Sequence, residues 1–293
     1  MAFALAGVMA FSFRPILIKL AYAVPTAHGH ASPVTLIFLR MGLSFPFFAA
    51  TAWWLRGQRP ALAARDWWAV CGLGFVGYYL ASFLDFVGLQ YVSAGVGRLI
   101  LFLYPTLVLL LSFVFLRKPA ARRELAALLL SYAGIALVLS NRFAEPGSER
   151  ALFGALLIFA SALCYAVYLV AGSEMVKRIG SMRFTAYTMV VATVPALVQF
   201  FALEGAAALE LPAQVWVYAI IMALFSTVLP VFLQSEALKR IGPNRFALIG
   251  AIGPVTTAAA GAVGLEEAFT ALQAAGAALV IAGVLLVSLR KAS

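Results

Sequence analysis

The chain has 293 residues, of which 64% are hydrophobic and 11% are charged, and its mean hydropathy is +1.01. Soluble domains carry roughly 25% charged residues, so this composition excludes a soluble protein and predicts one that lies in a lipid bilayer. The net charge of +10 comes from basic residues in short loops between apolar segments, a pattern typical of membrane orientation, so we expect no nucleic-acid partner.

Ten apolar segments follow one another along the chain, each about as long as a helix that crosses a bilayer. Long apolar runs in lipid favour helices, because a helix satisfies its backbone hydrogen bonds internally. The alternation that barrel strands require is absent. The sequence therefore predicts an all-α membrane protein with ten transmembrane helices, at 2–24, 33–55, 67–90, 93–115, 124–141, 151–173, 182–202, 214–236, 243–263 and 269–289.

The two halves of the chain match each other at a constant offset of 149 residues. Pro46 corresponds to Pro195, and Pro105 corresponds to Pro254. No insertion interrupts this register through the central part of each half. A fixed internal offset is typical of a duplicated unit, so we predict two five-helix repeats, at residues 1–141 and 151–293.

Lysine and arginine are distributed unevenly between the two sides of the predicted bundle. Fifteen lie in segments on one side, whereas only Arg142 and Arg150 lie on the other. The positive-inside rule then predicts that both termini are cytoplasmic. Because each repeat has an odd number of helices, the second repeat is expected to insert upside down relative to the first. Inverted repeats commonly build transporters that hold their substrate near the middle of the membrane, between the repeats.

Charged residues inside apolar segments are costly, so they are candidate functional residues. Asp85 and Arg98 lie about equally far from the predicted turn near Tyr91, which predicts similar depths in adjacent helices. We predict an ion pair between them, acting either as a structural clamp or as part of a substrate site. Arg14 lies deep in the first helix and is another candidate for the cavity, and Arg40 lies about mid-span in the second helix.

Aromatic and hydroxyl side chains accompany these charges. Tyr78, Ser82 and Asp85 are spaced four and three residues apart, so they share one face of the third helix. Such a face suits a substrate with an apolar body and polar ends, although aromatic side chains also fill the packing between membrane helices. The predicted cavity residues are Phe13, Arg14, Tyr78, Tyr79, Ser82, Phe83, Asp85, Arg98, Leu101, Tyr104, Tyr165, Tyr168 and Gln234.

Prolines occur at matched positions in the two halves, and each removes a backbone donor from the helix that contains it. Symmetric kinks near the middle of the membrane serve either as hinges for alternating access or as static bends that shape the bundle. The predicted hinge residues are Pro46, Pro105, Pro195 and Pro254.

The stretch 266–276, with the sequence Glu-Glu-Ala-Phe-Thr-Ala-Leu-Gln-Ala-Ala-Gly, precedes the glycine-containing last helix. It resembles the acidic, glutamine and glycine signature of the drug/metabolite transporter superfamily, specifically its paired EamA-type domains. Arg40 and the matched Pro105 and Pro254 also fit that family. The first half departs from the pattern, because Arg117-Lys118-Pro119 stands where an acidic residue is usual.

Within that superfamily, the chain looks most like the YddG-type exporters of aromatic amino acids, on the basis of its length, its ten spans and its aromatic-rich central helices. The resemblance implies a basket of helices 1–4 and 6–9 around a central cavity, with helices 5 and 10 at the periphery. It also implies that the protein is located in the inner membrane of a bacterium.

These observations predict a secondary transporter that exports amphipathic small molecules, aromatic or apolar amino acids above all, by alternating access at a cavity in the middle of the membrane. The rival hypotheses are an exporter of drugs or other metabolites, including phosphorylated sugars, and a non-transporting scaffold or lipid scramblase. The sequence has no catalytic constellation or phosphate-binding loop, so we expect no enzymatic activity, no cofactor and no metal. The coupling ion and the oligomeric state stay open, with a monomer expected.

Overall fold

The computed structural model describes residues 2–26, 29–58, 60–116, 122–140, 148–250, 252–265 and 270–288. Three segments lie outside the described residues: 117–119, where the chain departs from the family pattern, the first part of the family-like stretch at 266–269, and the junction at 141–147 between the predicted repeats. In chain order the helices are α1 (Ala2–Ser12), α2 (Arg14–Ala23), α3 (Pro33–Trp54), α4 (Ala64–Gly74), α5 (Ala81–Gly88), α6 (Ala94–Leu101), α7 (Tyr104–Leu116), α8 (Arg122–Ser140), α9 (Ser148–Ile179), α10 (Ser181–Leu203), α11 (Ala213–Ala223), α12 (Leu229–Gly250), α13 (Ile252–Gly264) and α14 (Ala271–Ser288).

The protein is a mostly helical membrane protein, as its composition predicts. Within the described residues, a two-residue ladder between Pro25–Thr26 and Gly29–His30 is the only strand pairing. Seven stretches are long and apolar enough to cross a membrane: Ala2–Ala23, Pro33–Trp54, Ala64–Gly88, Ala94–Phe113, Glu149–Ile179, Ser181–Leu203 and Ala213–Gln234. Three shorter apolar helices accompany them: Glu124–Val138, Ile252–Gly264 and Ala271–Leu286. The number ten therefore stays a prediction.

Two of the predicted spans are interrupted near their centres. The first is broken at Phe13, between α1 and α2, and the fourth is broken at Phe102 and Leu103, between α6 and α7. Pro15 and Pro105 follow these breaks by two residues. A proline ring clashes with the carbonyl four residues earlier and has no amide hydrogen to offer it, so the local helix geometry is disrupted at both places.

Two further spans contain π-helical turns, which the sequence analysis did not predict. Phe75–Leu80 joins α4 to α5, and Leu224–Val228 joins α11 to α12. The first residues of these segments, Phe75 and Leu224, are 149 residues apart, so the irregularity recurs at the offset of the sequence repeat. Such turns are rare and occur frequently at functional sites.

The loop predicted between residues 236 and 243 is not observed, because Leu229–Gly250 forms one continuous helical segment. An ion pair reinforces the helix where the loop was expected: Arg240 donates from Nε to Oε1 of Glu236 at 2.6 Å. A pair spaced four residues apart on a helix stabilises the helix modestly.

Counterpart helices of the two halves pack against each other. In α8 and α14, a Cβ at Gly134 would lie 2.6 Å from the carbonyl oxygen of Gly276, and a Cβ at Gly283 would lie 2.6 Å from that of Ala127. Gly134 and Gly283 are repeat counterparts, and so are Ala127 and Gly276. The contact is therefore made twice in the same way. Because position 134 meets 276 while 127 meets 283, the two helices run in opposite directions.

A second counterpart pair, α3 and α10, is joined at both ends. Glu204 accepts a hydrogen bond from the hydroxyl of Thr35 at 2.6 Å and another from that of Ser32, which caps the start of α3. At the opposite end, Arg183 donates from Nη1 to the carbonyl oxygen of Pro60 at 2.9 Å. Between these ends, Phe38 and Phe200 stack with ring centroids 4.0 Å apart.

Packing of α8 against α14 generates a stability prediction. Gly134→Leu is expected to destabilise the protein by about 1–3 kcal/mol, because the new side chain must displace the backbone of α14. The neighbouring Ala133 is exposed, so Ala133→Leu serves as the matched control and should be nearly neutral. Thermal unfolding of the purified protein in detergent measures both. Equal midpoints for the two variants would contradict the close approach of these helices.

Candidate functional site

A cavity of about 140 Å³ lies where the helix interruptions and the two π-helical segments meet. At about 10–15 Å³ per water molecule, this volume has room for on the order of ten waters or a small organic solute. Its walls come from both halves of the chain: Val8, Phe11, Arg14, Arg40, Gly77, Tyr78, Ala81, Ser82, Arg98, Leu101, Phe102, Tyr104, Ser161, Tyr165, Ser226, Thr227, Pro230, Val231, Gln234 and Gly250.

Three arginines reach this cavity from three different spans. Arg14, Arg40 and Arg98 are 8%, 2% and 7% exposed. Arg14 donates from Nη2 to Oδ2 of Asp85 at 2.8 Å, which makes a buried ion pair. Arg40 donates from Nη2 to the hydroxyl of Ser82 at 2.8 Å. These two guanidinium groups are thereby held in place by residues of α5.

Arg98 is positioned differently from the other two arginines. Its guanidinium makes no hydrogen bond or ion pair within the described part of the chain, and its Nε, like those of Arg14 and Arg40, is buried without a partner. Its guanidinium carbon lies 4.6 Å from the ring centroid of Phe11, and that of Arg14 lies at the same distance. The guanidinium also passes Gly253, where a Cβ would lie 3.2 Å from Nη2. An aromatic ring attracts a cation but does not neutralise it.

Prolines also make backbone acceptors available at this site. A proline cannot donate to the carbonyl four residues earlier, so Pro15, Pro105 and Pro254 leave the carbonyls of Phe11, Leu101 and Gly250 without that partner. All three of the residues that bear these carbonyls line the cavity. Backbone groups freed at membrane depth are tolerated where they face protein or a polar cavity.

Tyrosine rings form one wall and continue away from the cavity. The ring centroids of Tyr104 and Tyr165 are 5.3 Å apart, those of Tyr165 and Tyr168 are 5.9 Å apart, and Tyr78 lies 5.1 Å from Tyr168. The row ends at Phe184, which stacks on Tyr168 at 5.3 Å. These contacts join the first half of the chain to the second through aromatic packing.

Eight of the thirteen predicted cavity residues lie in the cavity wall, and five do not. Among the five, Asp85 contacts the site through Arg14, and Tyr168 packs behind Tyr78 and Tyr165. Tyr79 and Phe83 pack in the hydrophobic core. The eight in the wall are Arg14, Tyr78, Ser82, Arg98, Leu101, Tyr104, Tyr165 and Gln234.

Two of these placements correct the sequence analysis. The predicted partner of Asp85 is wrong, because Asp85 pairs with Arg14 and not with Arg98. Equal distance from a turn predicts equal depth but not the direction of a side chain around its helix, and Asp85 turns toward the first span. Phe13 is 43% exposed rather than in the cavity, since it occupies the break that turns α2 away from α1.

Twelve wall residues were missed, and applying the repeat offset to the predicted residues would have found three of them: Thr227, Val231 and Gly250. Ser226 and Thr227 are the counterparts of Gly77 and Tyr78, 149 residues earlier. In the same way, the wall contains both members of three further pairs: Ala81 and Pro230, Ser82 and Val231, and Leu101 and Gly250. Applying the offset to each candidate would have extended the prediction into the second half.

The four predicted hinge prolines all lie within helices. Pro46 and Pro195 are internal to α3 and α10. Pro105 is the second residue of α7, and Pro254 is the third residue of α13. Their positions fit either bending in place or hinge motion, so a hinge role stays a prediction.

Comparison with known proteins decides the family. Residues 1–140 and 152–289, nearly the whole chain, match the EamA-like transporter family. The chain belongs to this family. Two EamA regions in one chain agree with the duplication seen in the sequence.

Relatives of the EamA family extend this finding. The chain is 32% identical over 280 residues to the Uncharacterized transporter YcbK of Bacillus subtilis (strain 168), covering 94% of this chain and 88% of the relative. It is 29% identical over 263 residues to the Uncharacterized transporter YyaM of the same organism, covering 89% and 86%. A solved crystal structure shares the fold, with a TM-score of 0.65 at 19% identity over 97% of this chain and 94% of that one. These names indicate a membrane transporter.

Asp85→Asn is expected to lower the stability of the protein by about 3–5 kcal/mol, because it leaves the buried Arg14 without its counter-charge. The double variant Arg14→Gln/Asp85→Asn should recover part of this loss. Glu174→Gln, which breaks the exposed pair with Lys177, is the matched control and should have no measurable effect. Thermal unfolding in detergent measures all three. A midpoint for Asp85→Asn equal to that of the control would contradict a structural role for the buried pair.

Proposed function

We propose that this EamA protein is a secondary transporter that moves amphipathic small molecules across the membrane through the central cavity. The observation that carries the proposal is a cavity lined from both halves of the chain by guanidinium groups, by tyrosine rings and by residues whose carbonyls lose a partner to proline. Substrate sites of transporters are typically built in this way, at the interface of two repeats and from interrupted helices.

The two repeats are proposed to be inverted relative to each other. Their counterpart helices α8 and α14 run antiparallel and make the same glycine contact twice, which supports a two-fold relation between the halves. The repeated π-helical turns support the same relation. With five spans in each repeat, an axis in the membrane plane follows, and the matched prolines are the proposed hinges of an alternating-access motion.

The proposed substrates have an apolar or aromatic body and a carboxylate. Tyr78, Tyr104 and Tyr165 offer rings for the body, and the arginines offer charge-assisted hydrogen bonds for the carboxylate. Aromatic and apolar amino acids fit this description, and the proposed direction of transport is export. The proposed location is a bacterial inner membrane, which the resemblance to the family implies. The proposed cytoplasmic position of both termini rests on the distribution of lysine and arginine.

Flux through proteoliposomes tests the proposal. Purified protein reconstituted into vesicles is expected to give time-dependent uptake of labelled phenylalanine or of a related aromatic carboxylate, above that of protein-free vesicles. Uptake driven by a pH gradient would identify proton coupling, and uptake that ignores the gradient would identify facilitated diffusion. Lipid flipping without flux of any amphipathic carboxylate would instead support the scramblase hypothesis and contradict ours.

Blocking the cavity gives a sharper test. Gly250 lines the cavity, and apart from its chain neighbours no atom of the described residues lies within 4 Å of where a Cβ would stand, so Gly250→Trp should project into open space and leave folding intact. We expect at least about a tenfold loss of flux, because the ring occupies the volume that the substrate needs. Gly72 is equally unobstructed but exposed on α4, so Gly72→Trp is the matched control. Normal flux through Gly250→Trp would contradict passage through this cavity.

A further inference from the structure

The cavity holds more positive charge than its described surroundings compensate. Arg14, Arg40 and Arg98 line it, whereas Asp85 is the one acid among the described residues that line the cavity or bond to those that do. Arginine stays protonated in proteins, so three guanidinium groups and one carboxylate leave two positive charges. The C-terminal end of α6, close to Arg98, contributes only about half of one negative charge.

Among the three guanidinium groups, that of Arg98 is the one with no hydrogen-bond or ion-pair partner within the described residues. Arg14 bonds to Asp85 and Arg40 bonds to Ser82, although the Nε of each also lacks a partner. Arg98 is more than nine-tenths buried and lines the cavity. A buried, unpartnered cation is energetically costly, and an anionic ligand would relieve that cost.

We infer that the cavity selects an amphipathic organic anion whose head group carries no ammonium, and that Arg98 binds this head group. The inference rests on the transport function proposed above and names the charge class of its substrate. The head group is a carboxylate that receives charge-assisted hydrogen bonds from the planar guanidinium of Arg98. The apolar body lies against the rings of Tyr104 and Tyr165, which line the same cavity.

A zwitterion fits this site less well than the corresponding anion. The ammonium of an amino acid needs a carboxylate, and Oδ2 of Asp85 is already held by Arg14 at 2.8 Å. The freed carbonyls of Phe11, Leu101 and Gly250 can accept hydrogen bonds from an ammonium. They carry no net charge, however, so they do not compensate the excess positive charge of the arginines. Repulsion between an ammonium and nearby guanidinium groups is strong in an apolar interior.

Three ligands with the same phenyl body separate these charge states. Phenylpropanoate is phenylalanine without its ammonium, and phenethylamine is phenylalanine without its carboxylate. Binding of each is measured by ligand-dependent thermal stabilisation of the detergent-purified protein, in a buffer of low ionic strength that contains no carboxylate other than the ligand. We expect phenylpropanoate to bind at least about tenfold more tightly than phenylalanine, and phenethylamine to give no stabilisation. Equal or tighter binding of phenylalanine would overturn the inference.

Variants at position 98 test the named residue. Arg98→Gln should weaken phenylpropanoate binding by at least about tenfold and abolish its advantage over phenylalanine. Arg98→Lys keeps the charge without the planar fork and should retain part of the advantage. Arg150 is exposed at the start of α9, so Arg150→Gln is the matched control and should leave ligand binding unchanged. If folded Arg98→Gln still binds phenylpropanoate more tightly than phenylalanine, the head group does not bind Arg98, which would overturn that assignment.

Flux of the same ligands distinguishes the two proposals. Preferred binding of phenylpropanoate without flux of any ligand would contradict the transport function and leave the inferred anion site standing. Flux in which phenylalanine exceeds phenylpropanoate would overturn the anion inference and leave the transport function standing. If Arg98→Gln fails to fold, the order of the three ligands on the unmodified protein still decides the inference.

Discussion

Three guanidinium groups buried in an apolar bundle are the constraint on which the arrangement of this protein depends. Charge removed from water is costly unless it is paired, so each arginine determines what surrounds it. Arg14 requires Asp85, and Arg40 requires the hydroxyl of Ser82, which together orient one face of α5. Arg98 lies against Phe11 and beside a glycine on α13, where a larger side chain would crowd it. All three side chains line the cavity and make its interior polar.

Backbone irregularity is concentrated at the same place for a related reason. In lipid, an unpaired carbonyl has no water molecule with which to form a hydrogen bond. Proline breaks and π-helical turns are therefore tolerated where they face a polar interior. Phe11 and Leu101 present freed carbonyls at the cavity, and the π segment of each half supplies wall residues such as Tyr78 and Thr227. Polar side chains and unpaired backbone groups thus stabilise one another, because each lowers the free-energy cost of burying the other.

Sequence reasoning predicted the helical membrane class, because composition and apolar run length report directly on burial in lipid. It predicted eight of the twenty wall residues, because charged and aromatic side chains stand out in apolar segments. It failed where the outcome depends on rotation about a helix axis. Asp85 and Arg98 were given similar depths by counting from Tyr91, yet which neighbour each side chain meets depends on helix packing that a count does not contain. The π-helical turns could not be predicted either. Phe75–Leu80 contains no proline, and the extra residue in each π-helical turn does not change the composition of the segment.

The duplication distributes mechanics and chemistry differently between the halves. Backbone devices recur in both: the π-helical turns, the matched prolines and the paired wall positions all repeat at 149 residues. The charges do not, since the counterparts of Arg14, Arg40, Asp85 and Arg98 are Leu163, Met189, Gln234 and Ala247. Among the described residues, every ionised group at the cavity therefore belongs to the first repeat, and the second repeat contributes a wall of hydroxyl, amide and apolar groups. If the repeats move against each other, a bound head group stays with the first repeat while the uncharged wall slides past it. Such a wall can move without breaking a buried ion pair, which would otherwise add several kilocalories per mole to the barrier.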